Sequence, residues 1–288
     1  QYNPAVILAE KGATEDAGSC YGMVFVYSGS FLFEAEKDQY EQTRAIMGLQ
    51  SEYFHYPLRE GEKLVVPETI LAYSENGLTA LSQKFHRCIR EHICRGKYSR
   101  QSRPILLNSW EAAYFNFNGA TILKLAKSAA ELGIDMVVMD DGWFGKRDDD
   151  NSGLGDWHVN EEKLGCTLGE LIRGVNAAGV RFGIWIEPEM VSENSELYRE
   201  HPDWAMQIPG RKPVRGRNQL MLDFSREDVR KLIFERICGI LDQGNIEYIK
   251  WDMNRSIAEV YSAVNYPGKV TYDYMLGVYD FLEKLLAR

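Results

Sequence analysis

The chain has 288 residues, 45% of them hydrophobic, and a formal net charge of −9. That length allows one large domain or two ordinary ones with a sizeable core. The acidic balance argues against nucleic acid or an anionic membrane as partner, and no apolar run reaches the roughly 20 residues that span a bilayer.

No signal peptide opens the chain. It starts at Gln1 inside a strand-like run, which leads us to expect an upstream piece. The five cysteines, Cys20, Cys88, Cys94, Cys166 and Cys238, are widely spaced and form no C-x-x-C. That pattern fits reduced thiols in a cytoplasmic protein better than a disulfide frame or a zinc site. No histidine pattern suggests a metal, so no cofactor is expected.

Residues 1–76 read as β structure. Met23 to Tyr27 and Phe31 to Glu36 flank Ser28-Gly29-Ser30, a hairpin signal. Short strands are predicted near Arg44 to Leu49, Glu52 to Leu58 and Glu68 to Tyr73, punctuated by Pro57, Gly61 and Pro67. The count suits part of a β-sandwich. Over 77–103 the period changes: Leu78, Leu81, Phe85, Cys88, Ile89 and Ile93 share a helical face, followed by a basic linker that ends at Pro104.

From 104 to 288 strands and helices alternate. The strands are Ile105 to Asn108, Met136 to Asp140, Phe182 to Ile186 and Tyr248 to Asp252. They are nearly continuously apolar, as parallel strands covered on both faces are. The last three each follow a helix that stops at a glycine (Gly133, Gly179, Gly244), which takes a left-handed cap cheaply. Thr167 with Glu170, and Ser225 with Asp228, read as capping boxes. The fold class is α/β, a parallel sheet of about four βα units where a closed barrel needs eight.

Chemistry collects where these strands end. The first ends in Asn108-Ser109-Trp110-Glu111 and the second in Asp140-Asp141-Gly142-Trp143. The third ends in Trp185-Ile186-Glu187-Pro188-Glu189 and the fourth in Lys250-Trp251-Asp252-Met253-Asn254. In parallel barrels that end is the active-site mouth. Strand alternation puts Lys250 and Asp252 on one face, where the cation favours an ionised aspartate; an isolated K-x-D is more often a plain salt bridge. Indoles beside paired carboxylates suit a pyranose, with its apolar C–H faces and hydroxyl rim, although any one tryptophan can equally be packing at the rim. Two long loops, 144–163 and 190–222, support a functional face. The run Lys146 to Asp150 reads as a solvated tip. Arg215 and Arg217 either hold a ligand or cover the surface.

From about Leu64 onward the chain resembles the bacterial α-galactosidases of glycoside hydrolase family 36. The matching blocks are Arg103 to Ala112, Asp140 to Arg147, Trp185 to Met190, Gly216 to Leu220 and Lys250 to Arg255. The strand-rich start is similar to the end of that family's N-terminal β-supersandwich. The resemblance implies that 104–288 is the first half of a (β/α)8 barrel, and that the enzyme is a retaining hydrolase releasing terminal α-galactose from melibiose or raffinose-type oligosaccharides. Asp252 would be the nucleophile. Asp140, Asp141, Trp185, Arg217, Lys250, Trp251, Met253 and Asn254 would bind the sugar, with Trp185 walling the pocket. Glu187 and Glu189 would orient the groups that touch it. Ser109 and Ala113 depart from the first block, with little consequence expected. The family's acid/base aspartate follows a later Cys- and Gly-rich segment that nothing here matches. The 288 residues alone are therefore expected to be inactive and to expose an unpaired strand edge.

Rival readings are an α-N-acetylgalactosaminidase or galactosyltransferase of the same fold, and a non-catalytic sugar-binding fragment. A third is a barrel enzyme holding a metal on Asp140, Glu187 and Asp252, against which Lys250 counts. The oligomeric state of a whole enzyme, homo-oligomer or monomer, stays open.

Overall fold

A computed structural model describes residues 2–288, and the chain divides into two compact units, 1–103 and 104–288. In the first unit, β1 (Ala5–Ala9), β2 (Cys20–Phe25), β3 (Phe31–Lys37), β4 (Thr43–Leu49) and β5 (Thr69–Ser74) form two antiparallel sheets, β1-β2-β5 and β3-β4. Helix α1 (Gly77–Cys88) runs on into one π-helical turn, Ile89–Ile93. Its buried Leu81 and its Phe85 ring lie over Gly22 of β2, where a Cβ would sit 2.3 Å from the ring.

Two expectations for this unit fail. No hairpin forms across Ser28-Gly29-Ser30, because β2 already has β1 on one side and β5 on the other. The hairpin is instead β3-β4, turned by Asp38, whose Oδ1 accepts from the Tyr40 and Gln42 N–H groups at 2.8 and 2.9 Å. Glu52 to Leu58 is not a strand. A turn from Ser51 O to Phe54 N and a left-handed Tyr53 (φ 60°) interrupt it, and Pro57 has no N–H for a ladder.

The second unit comprises β6 (Leu106–Asn108), α2 (Trp110–Ala113), α3 (Gly119–Glu131), β7 (Met136–Met139), α4 (Glu161–Leu164), α5 (Leu168–Ala177), β8 (Arg181–Ile186), β9 (Met190–Val191), α6 (Glu196–Glu200), β10 (Leu220–Met221), α7 (Glu227–Leu241), β11 (Ile246–Trp251) and α8 (Val270–Leu286). Strands β6, β7, β8 and β11 form one parallel sheet in the order β11-β8-β7-β6. Every residue of β7 is buried, the mark of a parallel strand covered on both faces. The register pairs Asn108 with Val138, Met139 with Ile184 and Trp251 with Ile186. The strand ends therefore align, and the residues just beyond them emerge together.

Gly133 (φ 72°) and Gly179 (φ 87°) adopt the predicted left-handed caps. Gly244 does not; a Cβ there would lie 2.7 Å from Ile172 Cδ1, so close packing rather than backbone conformation calls for glycine. Thr167 and Glu170 form a capping box, each side chain bonding to the other's backbone N–H. Ser225 does not cap α7. Its hydroxyl is drawn to Asp223 Oδ1, and Arg226 takes the cap position.

Candidate active site

Parallel strands end with carbonyls and side chains directed at one face, so β7, β8 and β11 deliver Asp140, Glu187 and Asp252 to a common region. Asp252 is half-buried. Its Oδ2 accepts from the Trp185 indole N–H at 3.0 Å and the Asn254 amide at 2.9 Å, and its Oδ1 from the Met253 N–H at 3.0 Å. Burial works to raise its pKa. The Trp185 and Asn254 hydrogen bonds, the Lys250 charge and the Met253 N–H together outweigh burial and hold the carboxyl below its ordinary range.

Lys250, on the same strand face, bonds Asp140 Oδ2 at 2.8 Å. Asn108 at the end of β6 donates to the same oxygen at 2.5 Å. The Asp140 N–H donates to Ser109 Oγ at 3.0 Å, and Asp140 Oδ1 accepts from the Asp141 N–H at 2.9 Å. Ser109 is fully buried in this role.

Asp141 is buried against Arg147, which grips both of its oxygens. Burial raises its pKa, and the Arg147 hydrogen bonds and charge oppose that without cancelling it. Arg147 is 2% exposed, which corrects the reading of 146–150 as a wholly solvated tip. No periodicity could have found it, because its partner lies in the preceding strand end and the loop folds back to reach it.

Arg217 and Asn218 both have positive φ, at the tip of a turn closed between Gly216 and Gln219. There Arg217 Nη1 donates to Asn254 Oδ1 at 2.9 Å. Arg255 fastens the same loop through Val214 O at 2.9 Å and Gln219 O at 2.6 Å. Arg215 instead pairs with Glu193. Glu187, 0% exposed, receives Gln219 Nε2 at 2.9 Å and the Asn254 N–H at 2.6 Å on Oε1, while its Oε2 has no partner. Burial raises its pKa against those bonds, and the Asp252 charge adds to the rise.

Two predicted sugar contacts sit differently. Trp251 lies on the other face of β11, its indole N–H on Glu189 Oε1 at 2.9 Å and its ring edge-on to Phe281 of α8. Strand alternation that unites Lys250 and Asp252 turns Trp251 away from them. Trp185 is 1% exposed, packed near Phe144 and Trp157. It presents no open wall in this structure; its contribution is the N–H on Asp252. Met253 is exposed beside that carboxylate and supplies a backbone donor. Glu189 faces the helix layer, with Tyr274 OH on its second oxygen at 2.5 Å. Among the described residues no group of three His, Cys, Asp or Glu side chains is arranged to hold a metal ion, and no helix is long and apolar enough to cross a membrane.

The Melibiase family model matches residues 64–288, and the glycosyl hydrolase family 36 N-terminal domain matches residues 1–59. The chain belongs to the melibiase family. The bifunctional alpha-galactosidase/sucrose kinase AgaSK of Mediterraneibacter gnavus is 66% identical over all of this chain, which covers 30% of that protein. Alpha-galactosidase AgaA of Geobacillus stearothermophilus is 47% identical over all of this chain, which covers 40% of it. The crystal structure of a GH36 AgaA variant from Geobacillus stearothermophilus in complex with raffinose superposes with a TM-score of 0.97, at 47% identity over 99% of this chain and 40% of that one. The chain thus spans 30–40% of the length of these melibiase-family relatives.

Proposed function

We propose that this chain forms the sugar-binding and nucleophilic part of a retaining α-galactosidase acting on raffinose-type oligosaccharides. The observation that carries the reading is Asp252, a half-buried carboxylate held in its charged form by three hydrogen bonds and a neighbouring ammonium. A carboxylate so placed can attack the anomeric carbon of a galactoside. The C1–oxygen bond to the aglycone breaks, a galactosyl ester forms on Asp252, and water then cleaves it. Asp140, Asp141, Lys250, Arg217 and Asn254 ring the same region with acceptors and donors suited to sugar hydroxyls.

The acid that protonates the leaving oxygen is a separate carboxyl, about 5–5.5 Å from the nucleophile in retaining enzymes. Neither buried glutamate suits that task. Glu187 is fully enclosed, and both Glu189 oxygens are taken on the far face of the sheet. We place the acid/base outside residues 1–288. Five free cysteines favour a reducing, cytoplasmic setting.

The test is Asp252→Asn in the full-length protein, assayed on an aryl α-galactoside. The expected outcome is loss of turnover by about 10³-fold or more, in line with removal of a covalent nucleophile, with an unchanged circular dichroism spectrum. A variant with ordinary rates removes Asp252 from the mechanism.

A further inference from the structure

The loop after β7 is wound around one buried guanidinium. Arg147 Nε lies 3.0 and 3.2 Å from the two Asp141 oxygens, Nη2 bonds Oδ2 at 2.7 Å, and Nη1 donates to Ser152 O at 2.9 Å. The Phe115 ring lies 5.6 Å from its central carbon. Two glycines make the room. At Gly142 (φ 106°) a Cβ would lie 2.9 Å from the Phe115 ring, and at Gly153 (φ 81°) 3.2 Å from the Arg147 backbone nitrogen. Lys163 closes the turn with bonds to Arg147 O at 3.2 Å and Asp148 Oδ1 at 2.9 Å.

Burying such a pair costs desolvation on both ions, and a well-packed apolar contact would staple a loop equally well. A role for the charge itself explains the arrangement better. Asp140 has Lys250 as its cation. Asp141, one residue on and buried beside that second carboxylate, has Arg147 as its one cation among the described residues. A guanidinium fork fixes both oxygens of a carboxylate in one plane, which a single ammonium cannot do.

We infer that Arg147 is a positioning residue for substrate recognition: it fixes the plane of the Asp141 carboxylate so that the remaining lone pairs meet sugar hydroxyls. This rests on the galactoside reading of the site. Asp141 faces Arg147 from its own loop and Asp140 with the Lys250 ammonium from the adjoining strands, and Lys163 with Asp148 lies behind the guanidinium.

The experiment is calorimetric titration of the full-length protein with galactose across acidic to neutral pH, for the unsubstituted protein, Arg147→Lys and Asp141→Asn, alongside KM and kcat on an aryl α-galactoside. Asp141→Asn is expected to remove measurable binding. Arg147→Lys is expected to weaken binding about tenfold or more, the worth of a charge-assisted hydrogen bond. It also moves the acid limb of affinity to higher pH, because one ammonium offsets burial less well. KM rises more than kcat falls. If Asp141→Asn loses binding while Arg147→Lys keeps both affinity and pH dependence, the Arg147 role is overturned and the sugar site stands. If Asp141→Asn also binds normally, the site reading falls and takes the inference with it. An Arg147→Lys protein that fails to fold, or that only melts earlier with unchanged affinity, assigns the arginine to loop stability and overturns the proposal.

Discussion

Asp252 is acidic because of what surrounds it, and its largest favourable neighbour is the Trp185 indole N–H. Trp185→Phe keeps an aromatic ring beside Phe144 and Trp157 and removes that donor. Losing that bond disfavours the charged form and raises the pKa, so the acid limb of kcat/KM is expected to move to higher pH. The sign is fixed by the depressed folded pKa: the bond stabilises the native state above the ordinary aspartate range and is lost as pH falls through the folded value. A pH–rate profile of the variant measures the shift, and an unmoved limb shows that another group governs it. At this scale the shared face of Lys250 and Asp252 was legible, because alternation along a strand is a local rule, although the Lys250 ammonium bonds Asp140. Arg147 and Ser109 were not. Each acts on an aspartate through a chain reversal or a neighbouring strand, and nothing in local spacing reports such a meeting.

Among elements, α8 shows how much a single missing Cβ can decide. Gly277 sits where a Cβ would fall 2.0 Å from the Phe224 carbonyl oxygen, a backbone atom already receiving Arg230 Nη1 at 2.6 Å. Gly277→Ala therefore forces α8 outward, with an expected cost of about 3 kcal/mol or more from overpacking. Gly133→Ala meets nothing within 4 Å and suffers only its positive φ, about 1–2 kcal/mol. Denaturant midpoints of the two variants give the order, and equal midpoints contradict it. Helices α3, α5 and α7 were legible from the glycine that follows each, because a stop signal lies next to the element it ends. Gly244 shows the limit of that reading. Its place after a helix matched a left-handed cap, yet its requirement comes from Ile172 across the interface. The failed hairpin in the first unit has the same origin: strand partners β1 and β5 come from distant sequence, and they outcompete the adjacent run.

For the molecule as a whole, strand order sets the exposed hydrogen-bonding groups. In the second unit β11 is an outer strand of the parallel sheet, joined to β8 on one side and to no other strand among the described residues. Tyr248 on it remains 37% exposed. An open edge of this length pairs readily with another chain. Residues 1–288 prepared alone are expected to self-associate as concentration rises, through β11 of one copy against another. Sedimentation velocity over a tenfold concentration range measures this. Tyr248→Lys, which places a charge on the exposed strand, is expected to suppress the association, as charged residues blunt natural edges. A sedimentation coefficient that stays constant and monomeric for the unsubstituted chain shows that the β11 edge is covered by other means. Association that persists undiminished in Tyr248→Lys moves the contact to another surface, and the exposed apolar side chains Ile7, Leu71 and Tyr73 of the antiparallel sheet in the first unit become the place to look.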